Sequence, residues 1–433
     1  MSTVQQETLA GSKSAGNIWV KRAWPWLACL VIALLAPTVL SSGHDIHMLS
    51  SMAIMMVFAL AYNMLLGNTG LLSFGHAVYF GFGAYIAMHT LRWSNNVVLD
   101  GTGYGVPIEL IPLVGGLAGL FFGIIFGSFS TKKAGVVFAM ISLGVVGLVE
   151  ASSLAFTGFF GGEAGLFGDR EDVNSLLGIE YGRSLTVYYL MVFWLFVCAL
   201  LMFLLRKTPL GWMANAVRDN PERAQFVGYN TTTVRFMQFS LSAFFAGVAG
   251  GMFVLVEEIV TDEAIGFLLS GEVLLAAYIG GIGFFFGPIV GAALVVYLES
   301  NLSSISDAWL LYFGILFITV VMFAPMGIVG IIYQQWFNFR SGGWKGTIPA
   351  RLYCTVTALI GLLGFICIVE MAYHYLRSWN PSAPMTLFVT TVDTTTALPW
   401  LVSVAILLVG LGLMLFHARP MLRRAVEAAG GNK

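Results

Sequence analysis

Residues 65–85 read LLGNTGLLSFGHAVYFGFGAY, with five glycines, an Asn-Thr pair, a serine and a histidine in an otherwise strongly apolar sequence. Glycine in a helix interior is roughly 0.5–1 kcal/mol less favourable than alanine. Such a density of glycine predicts a backbone that bends, breaks or is approached closely by another segment. The stretch therefore decides the fold, because it places an interrupted helix inside an apolar region.

The composition of the whole chain is that of a membrane protein. Hydrophobic residues make up 58% of the chain and charged residues 10%, and the mean hydropathy is +0.85. These values leave too few polar side chains to cover a water-soluble fold. We expect a lipid bilayer, and no nucleic acid, around this chain. The four cysteines lie far apart in apolar runs, so the pattern favours neither disulfides nor a metal site, and no cofactor is expected in this chain.

Apolar runs bounded by charge, Gly or Pro predict the spans. A hydrocarbon core of roughly 30 Å requires about 20 apolar residues per helix. The runs predict an all-α polytopic protein with about twelve transmembrane helices, ten in a core and two in a C-terminal hairpin. The predicted spans are 27–43, 48–66, 74–91, 108–129, 134–156, 185–205, 235–256, 268–283, 287–299, 308–324, 352–373 and 397–416.

The positions of the positive charges predict the orientation. With a cytoplasmic N-terminus, only four of the 21 Lys and Arg residues fall outside, namely Arg92, Arg170, Arg183 and Arg377. Lys and Arg concentrate in cytoplasmic loops, so both termini are predicted to be cytoplasmic. The polar lead before the first span and the lack of an A-x-A site favour a retained span over a cleaved signal peptide.

The longest charged segment between spans, GWMANAVRDNPERAQFVGYN (211–230), contains the signals of a very short helix. Asn220 is a good N-cap, Pro221 suits the first helical position, and Glu222 suits the positive helix end. Gly228 suits a left-handed stop. So short a helix requires a supporting surface, for which Ala224 and Val227 offer a small apolar face. An ordinary surface loop with one helical turn is the alternative.

Three motifs together resemble the permease subunits of branched-chain amino acid ABC importers of the LivM type. They are residues 65–85, the segment 211–230 running into FSLSAFFAGVAGG (239–251), and IGGIGFFFGPIVGAAL (279–294). The resemblance covers roughly residues 48–332. It implies that the cytoplasmic loop docks into a cleft of an ATP-binding subunit. The positions to which it assigns ATPase coupling are Arg218, Asp219, Asn220, Pro221, Glu222, Ala224 and Gly228.

The resemblance also implies the partners and the location. They are a second permease subunit (identical or different), two ATP-binding subunits and a soluble solute-binding protein, in a bacterial inner membrane. A phosphate-binding P-loop requires Gly before its Lys, and no lysine here follows a glycine, so energy is expected from a partner or from an ion gradient. The resemblance implies that a separate ATP-binding subunit uses the ATP and that this chain is not an enzyme.

The substrate class stays open at this point. Branched-chain or related amino acids are expected, and the same permease type also serves urea and small amides. An ion-coupled secondary transporter is the alternative class. A membrane enzyme would require converging His, Asp, Ser or Cys groups, which the sequence does not place together.

Two Gly-rich interruptions predict a substrate path. One runs from Gly67 to Gly75 and the other from Gly280 to Gly291. Transporters bind substrate near the bilayer midplane, where interrupted helices expose backbone groups. The predicted path residues are Gly67, Asn68, Gly70, Ser73, Gly75, His76, Glu272, Gly280, Gly281 and Gly283. The alternative is that these glycines only let helices cross closely.

Close helix crossing is the interpretation of another set of glycines. Small residues recur every fourth position at Gly115, Gly119, Gly123 and Gly127. This pattern lets helix backbones approach each other in lipid. Gly247 and Gly251 repeat it, so these faces are predicted to serve helix packing or subunit contacts and not a ligand site.

The predicted outer loop begins TGFFGGEAGLFGDRED and resembles the family's Gly-rich loop. Gly161, Gly162 and Gly165 are predicted to shape a turn that docks the solute-binding protein, and the charged run 169–172 is interpreted as a solvated face. The two histidines of HDIH, His44 and His47, are too few for a metal site.

The resemblance ends after about Gly330. The predicted organisation is a cytoplasmic tail (1–26), a permease core (27–338) containing the coupling loop (206–234), and an extra C-terminal hairpin with a tail (339–433). The hairpin is interpreted as an accessory element.

Overall fold

Helices account for nearly all of the regular structure, because backbone groups in a bilayer require hydrogen bonds within their own segment. The computed structural model describes residues 24, 26–101, 103–171, 173–324, 326–340, 347–377, 385–387 and 390–430. The predicted tail 1–26 therefore lies almost wholly outside the described residues, as does part of the polar loop before residue 396.

The first helices in chain order are α1 (Trp26–Val39), α2 (Gly43–Thr69), α3 (Ala77–Leu99), α4 (Ile111–Ser130), α5 (Val136–Ala155), α6 (Thr157–Phe160), α7 (Ser184–Lys207), α8 (Pro209–Asp219) and α9 (Pro221–Phe226). They are followed by α10 (Thr231–Glu257), α11 (Phe267–Gly280), α12 (Gly287–Ile305), α13 (Trp309–Phe323), α14 (Gly327–Arg340), α15 (Ile348–Arg377), α16 (Ala397–Leu413) and α17 (Arg419–Gly430). The described structure also contains two short antiparallel pairs, β1 (Leu166–Phe167) with β2 (Ile259–Val260) and β3 (Met385–Leu387) with β4 (Thr390–Val392). Three short 3-10 helices (Ile108–Leu110, Gly162–Ala164 and Asp262–Ala264) and a π-helical turn (Met414–Ala418) connect longer elements.

Each of the twelve predicted spans overlaps one of these helices. In the described part of the chain, eight helices are long and apolar enough to cross a membrane, or nine if α13 and the start of α14 form one bent span. Helices α1 and α11 are apolar but shorter. Helix α3 is long but ends in a polar stretch that includes Arg92, Asn95 and Asn96. A polytopic helical membrane protein is therefore confirmed, whereas the number twelve and the cytoplasmic termini stay predictions.

Backbone contacts divide the chain into two units, Met1–Tyr297 and Leu298–Lys433. In the first unit, α10 is central and packs against α4, α3 and α2, while α7 packs against α2. The predicted small-residue faces meet here. A methyl group added to Gly115 would lie 3.0 Å from the Cα atom of Gly251, and one added to Gly119 would lie 2.9 Å from that of Gly247. The packing interpretation of these glycines is confirmed.

The segment between α5 and α7 is fixed by two charged side chains. The Glu109 carboxylate accepts hydrogen bonds from Ser175 Oγ (2.7 Å) and Tyr181 Oη (3.2 Å). Burial, followed by the neighbouring Glu109 carboxylate, raises the pKa of Tyr181 to about 12. Arg170 donates to Leu255 O (2.8 Å), and its side chain is only 12% exposed. The solvated-face interpretation of this charged run was therefore wrong for Arg170, because the helix that supplies its acceptor lies 85 residues away in sequence.

The second unit contains α13 to α17 and the end of α12. Helices α15 and α16 pack closely, since a methyl group on Gly364 would lie 2.9 Å from Leu407 Cα. Glu370 of α15 accepts hydrogen bonds from Ser306 Oγ (2.5 Å) and Tyr312 Oη (2.7 Å). These bonds satisfy a carboxylate in an apolar helix, which is otherwise costly.

Removing residues 341–433 is expected to leave a chain that still inserts, because the ten predicted spans before it are even in number. Insertion is measured as protease-protected fragments in membrane vesicles. Full-length Glu370→Leu is the comparison, since it removes the acceptor of the Ser306 and Tyr312 hydroxyls and keeps the hairpin. Degradation of the truncated chain, with Glu370→Leu intact, would show that the hairpin is integral to the core.

Candidate functional site

The first predicted interruption is a true helix break. Helix α2 ends at Thr69, and α3 begins at Ala77, so residues 70–76 are not helical. Hydroxyl groups of neighbouring helices satisfy the freed backbone groups, in the bonds from Tyr62 Oη to Ser73 O (2.9 Å), from Phe74 N to Ser142 Oγ (3.0 Å) and from Ala77 N to Ser270 Oγ (3.0 Å). The break is thus held by α2, α5 and α11 together.

His76 lies at the end of the break and is 0% exposed. Its Nε2 atom is 3.0 Å from Ser242 Oγ, and that hydroxyl donates to Ala61 O at 2.6 Å. Because the serine proton is used on Ala61, the histidine donates from Nε2 to the Ser242 hydroxyl oxygen. The ring stacks on Phe58, with centroids 5.9 Å apart.

Several buried polar atoms around the break have no hydrogen-bond partner within the described residues. They include Asn63 Oδ1, Ser73 Oγ and His76 Nδ1. A buried polar atom without a partner loses about 1–3 kcal/mol relative to one that is satisfied. The backbone of the break is therefore hydrogen bonded, whereas several side-chain polar atoms around it have no partner within the described residues.

The second interruption lies beside the first. Helix α11 ends at Gly280 and α12 begins at Gly287, so the predicted span 268–283 ends three residues early. A methyl group on Gly67 would lie 3.1 Å from Ile282 O, which places the second break against the last turn of α2, just before the first break. Gly283 has no atom within 4 Å of such a methyl group, whereas Gly280 would meet the backbone of Gly291 at 2.9 Å.

The remaining predicted path residues differ in exposure. Asn68 and Thr69 are buried in the last turn of α2, and Gly70 is exposed. A side chain at Gly75 would meet the Ser142 carbonyl. Glu272 is half-buried on α11, and Ser270 of the same helix accepts a hydrogen bond from Ala77 N of the break's end.

The segment 211–230 forms the predicted short helix, α9. Asn220 caps it by accepting from Arg223 N at 2.9 Å, Pro221 is its first residue, and Glu222 lies in its first turn. The last helical residue is Phe226, and Gly228, two residues later, has φ +94°. There Tyr229 N donates to Ala224 O and Gly228 N donates to Gln225 O. This pair of bonds is the Schellman motif that a left-handed glycine permits.

The apolar face of α9 is not the predicted one. Ala224 is buried with Ala214, Val217 and Val234 in a small cluster of its own. Val227 is 70% exposed, because it follows the last helical turn rather than lying on the buried face. Phe226, which the sequence analysis did not select, is 91% exposed. A phenylalanine at the end of a short, charged helix was the available signal.

Arg218, at the end of α8, joins the segment to the helix break. Its Nη1 atom donates to Gly67 O, and its Nε and Nη2 atoms each lie 3.0 Å from Asp219 Oδ1. The sequence predicts Arg218 and Gly67 in two separate sites, but the structure brings them together.

The outer glycines form a turn. Gly161, Gly162 and Gly165 all have positive φ values, from +66° to +80°. A methyl group on Gly165 would lie 3.1 Å from Thr261 Cγ2, so the turn packs against the start of the α10–α11 connection. His47, near the start of α2, pairs with Glu257 at 3.1 Å.

These features define a multi-pass helical membrane protein with a polar break in its helical core and a separate small segment of short helices. Residues 46–325 match the family described as branched-chain amino acid transport system, permease component, and the chain therefore belongs to that family. It is a permease component, as the descriptions of the family and of the relatives below state.

Three relatives illustrate the range of the family. The LivM permease of the high-affinity branched-chain amino acid transport system of Salmonella typhimurium is 26% identical over 348 residues, covering 76% of this chain and 79% of that protein. The probable LivH permease of Methanocaldococcus jannaschii is 26% identical over 306 residues (65% and 90%). The LsrC permease of the Escherichia coli autoinducer 2 import system is 28% identical over 221 residues (48% and 58%). No solved structure matches the chain.

Proposed function

We propose that the chain is the membrane-spanning subunit of an ATP-driven importer in a bacterial inner membrane. The observation that carries this proposal is α9, a capped helix supported by its own apolar cluster, with Phe226 and Val227 exposed beside it. Exposed apolar side chains on a rigid cytoplasmic segment are typical of a docking surface. Its partners in the proposal are two ATP-binding subunits, a second permease subunit and a soluble solute-binding protein that docks at Gly161, Gly162 and Gly165.

The proposed substrates are branched-chain or related amino acids, on the basis of family membership. Urea or small amides carried by the same type of permease are the second candidates. The discriminating experiment reconstitutes the complex in vesicles with its solute-binding protein and measures uptake of labelled leucine, urea and acetamide. ATP-dependent uptake that persists when ionophores collapse all ion gradients supports the importer; uptake driven by an ion gradient without ATP supports a secondary transporter instead.

We also propose that the break lines the substrate path. The support is the contact of the second break with Gly67, in the turn of α2 that precedes the first break, and the unpartnered atoms of Asn63, Ser73 and His76. An unsatisfied backbone group costs several kcal/mol in hydrocarbon, so a break is tolerated only where protein, water or ligand meets it. Protein satisfies three of these groups directly, and the spare polar atoms are those proposed to meet water or solute when the path opens.

A cysteine at Ser73 is expected to react with a water-soluble thiol reagent only during turnover. Ser73 is 1% exposed, so the closed state protects it. Ala77, equally buried but on α3, is the matched control, and Leu176, exposed in the outer loop, is the reactive reference, all in a background lacking the native cysteines. Protection of Ser73 in every state, with Leu176 reactive, would show that the break is a dry helix interface.

A further inference from the structure

We propose that Arg218 is the positioning residue that transmits movement of the α8–α9 segment to the helix break, rather than a contact for the ATP-binding subunit. This inference rests on the proposed function. It connects the coupling segment 211–230 with the helix break through a single side chain.

The first step is the bond itself. Gly67 lies in the last turn of α2, where helix carbonyls have no partner within the helix. Gly70 N donates a hydrogen bond to Leu66 O, and the Arg218 guanidinium donates one to Gly67 O. A cation at this end of a helix also complements the helix dipole. The guanidinium is thus the C-terminal cap of α2, supplied from a different helix 151 residues later in the chain.

The second step is the fixed orientation of the side chain. Asp219 Oδ1 holds both Nε and Nη2 at 3.0 Å. A methyl group added to Gly70 would lie 3.1 Å from Arg218 Cγ, so the side-chain stem also lies against the break. Arginine presents several donors in the plane of its guanidinium. One edge of the group therefore binds Asp219 while Nη1 donates to Gly67 O.

The third step is the connection to the docking surface. Arg218 is two residues before Asn220, which caps α9, and the exposed Phe226 is the last residue of α9. Helix α8 packs against α2, α7 and α10. If the ATP-binding subunit displaces α9, α8 must either carry the Gly67 carbonyl with it or break the bond. Since Gly67 is also beside Ile282 O, the movement reaches both breaks.

The resemblance to known permeases assigned Arg218 to docking, and the two roles predict different defects. A docking residue, when replaced, loses the ATP-binding subunit or its hydrolysis. A positioning residue, when replaced, leaves hydrolysis stimulated by the solute-loaded binding protein but lowers the number of solute molecules moved per ATP. The ratio of uptake to hydrolysis is therefore the informative measurement.

The test uses the complete complex in vesicles, with labelled leucine as the probe. Arg218→Gln is expected to lower uptake at least tenfold while hydrolysis changes by less than about twofold. Arg218→Lys keeps the charge and one donor direction, so uptake is expected to recover in part. Arg223→Gln is the matched control, since it removes the same charge from α9 and leaves the bond between Arg218 and Gly67. Any fall in uptake by this variant should be matched by an equal relative fall in hydrolysis.

Loss of the ATP-binding subunit from purified Arg218→Gln complex, a parallel fall of uptake and hydrolysis, or unchanged uptake would each overturn the inference. Failure of the proposed function is seen separately, because the wild-type complex would then show no ATP-dependent uptake of any of the three solutes.

Discussion

Replacing Gly228 by valine is expected to abolish ATP-driven uptake while leaving the membrane core folded. Gly228 has φ +94°, a conformation that a β-branched residue adopts only with strain, and the Schellman bonds at Tyr229 and Gly228 depend on it. The end of α9, with Phe226 and Val227, would be redirected. The membrane helices do not pack through this turn, since nothing lies within 4 Å of a methyl group at Gly228.

The measurements are leucine uptake by reconstituted vesicles and thermal unfolding of the purified permease. Gly228→Asn is the matched control, because asparagine tolerates the left-handed region, and it should retain uptake. Glu222→Lys and Phe226→Ser are expected to give the same loss without strain, by reversing a charge at the start of α9 and by removing its exposed ring. Full ATP-driven uptake with Gly228→Val or with Glu222→Lys would exclude α9 as the coupling element.

Replacing Gly247 by leucine is expected to prevent folding of the first unit. Gly247 of α10 lies between two helices, where a methyl group on Gly83 would be 2.6 Å from its Cα, and one on Gly247 would be 2.9 Å from Gly119 Cα. Overpacking typically destabilises by about 1–3 kcal/mol. Here backbone faces backbone on both sides, so no flexible side chain can yield, and the effect should exceed that range.

Folding is measured by size-exclusion chromatography and thermal unfolding in detergent. Gly144→Leu is the matched control, because Gly144 is exposed on α5 and a methyl group there meets nothing within 4 Å. It should elute and unfold like the wild type. A Gly247→Leu protein with the wild-type unfolding temperature would mean that α3, α4 and α10 are not held by this contact.

Local patterns explain the successes of the sequence analysis. Asn220, Pro221 and Gly228 act on backbone groups within a few residues, so their types alone predicted the start and the end of α9. In the described part of the chain, each helix that is long and apolar enough to cross a membrane overlaps a predicted apolar run, because crossing a bilayer requires a continuous run. The face of Gly115 and Gly119 was found because its spacing follows the helical repeat.

The failures have a common cause in long-range contact. Ser142, Ser242 and Ser270 are ordinary serines in apolar helices, and nothing near them in sequence distinguishes them from other serines. Ser142 and Ser270 hydrogen bond the break across 68 and 193 residues. Arg170 was interpreted as solvated for the same reason, because two of its acceptors, Leu255 O and Val256 O, lie on α10.

The sequence by itself determined that the chain is a helical membrane protein, where its helices break, and how α9 begins and ends, since each of these depends on hydration or on hydrogen bonds between near neighbours. Only the tertiary structure decided which groups meet at the break. It placed Ala224 inside and Phe226 outside, and it set the Arg218 guanidinium on the Gly67 carbonyl. The physical reason is that a hydrogen bond between distant residues exists only after the helices have packed, and packing depends on the shapes of all the faces together.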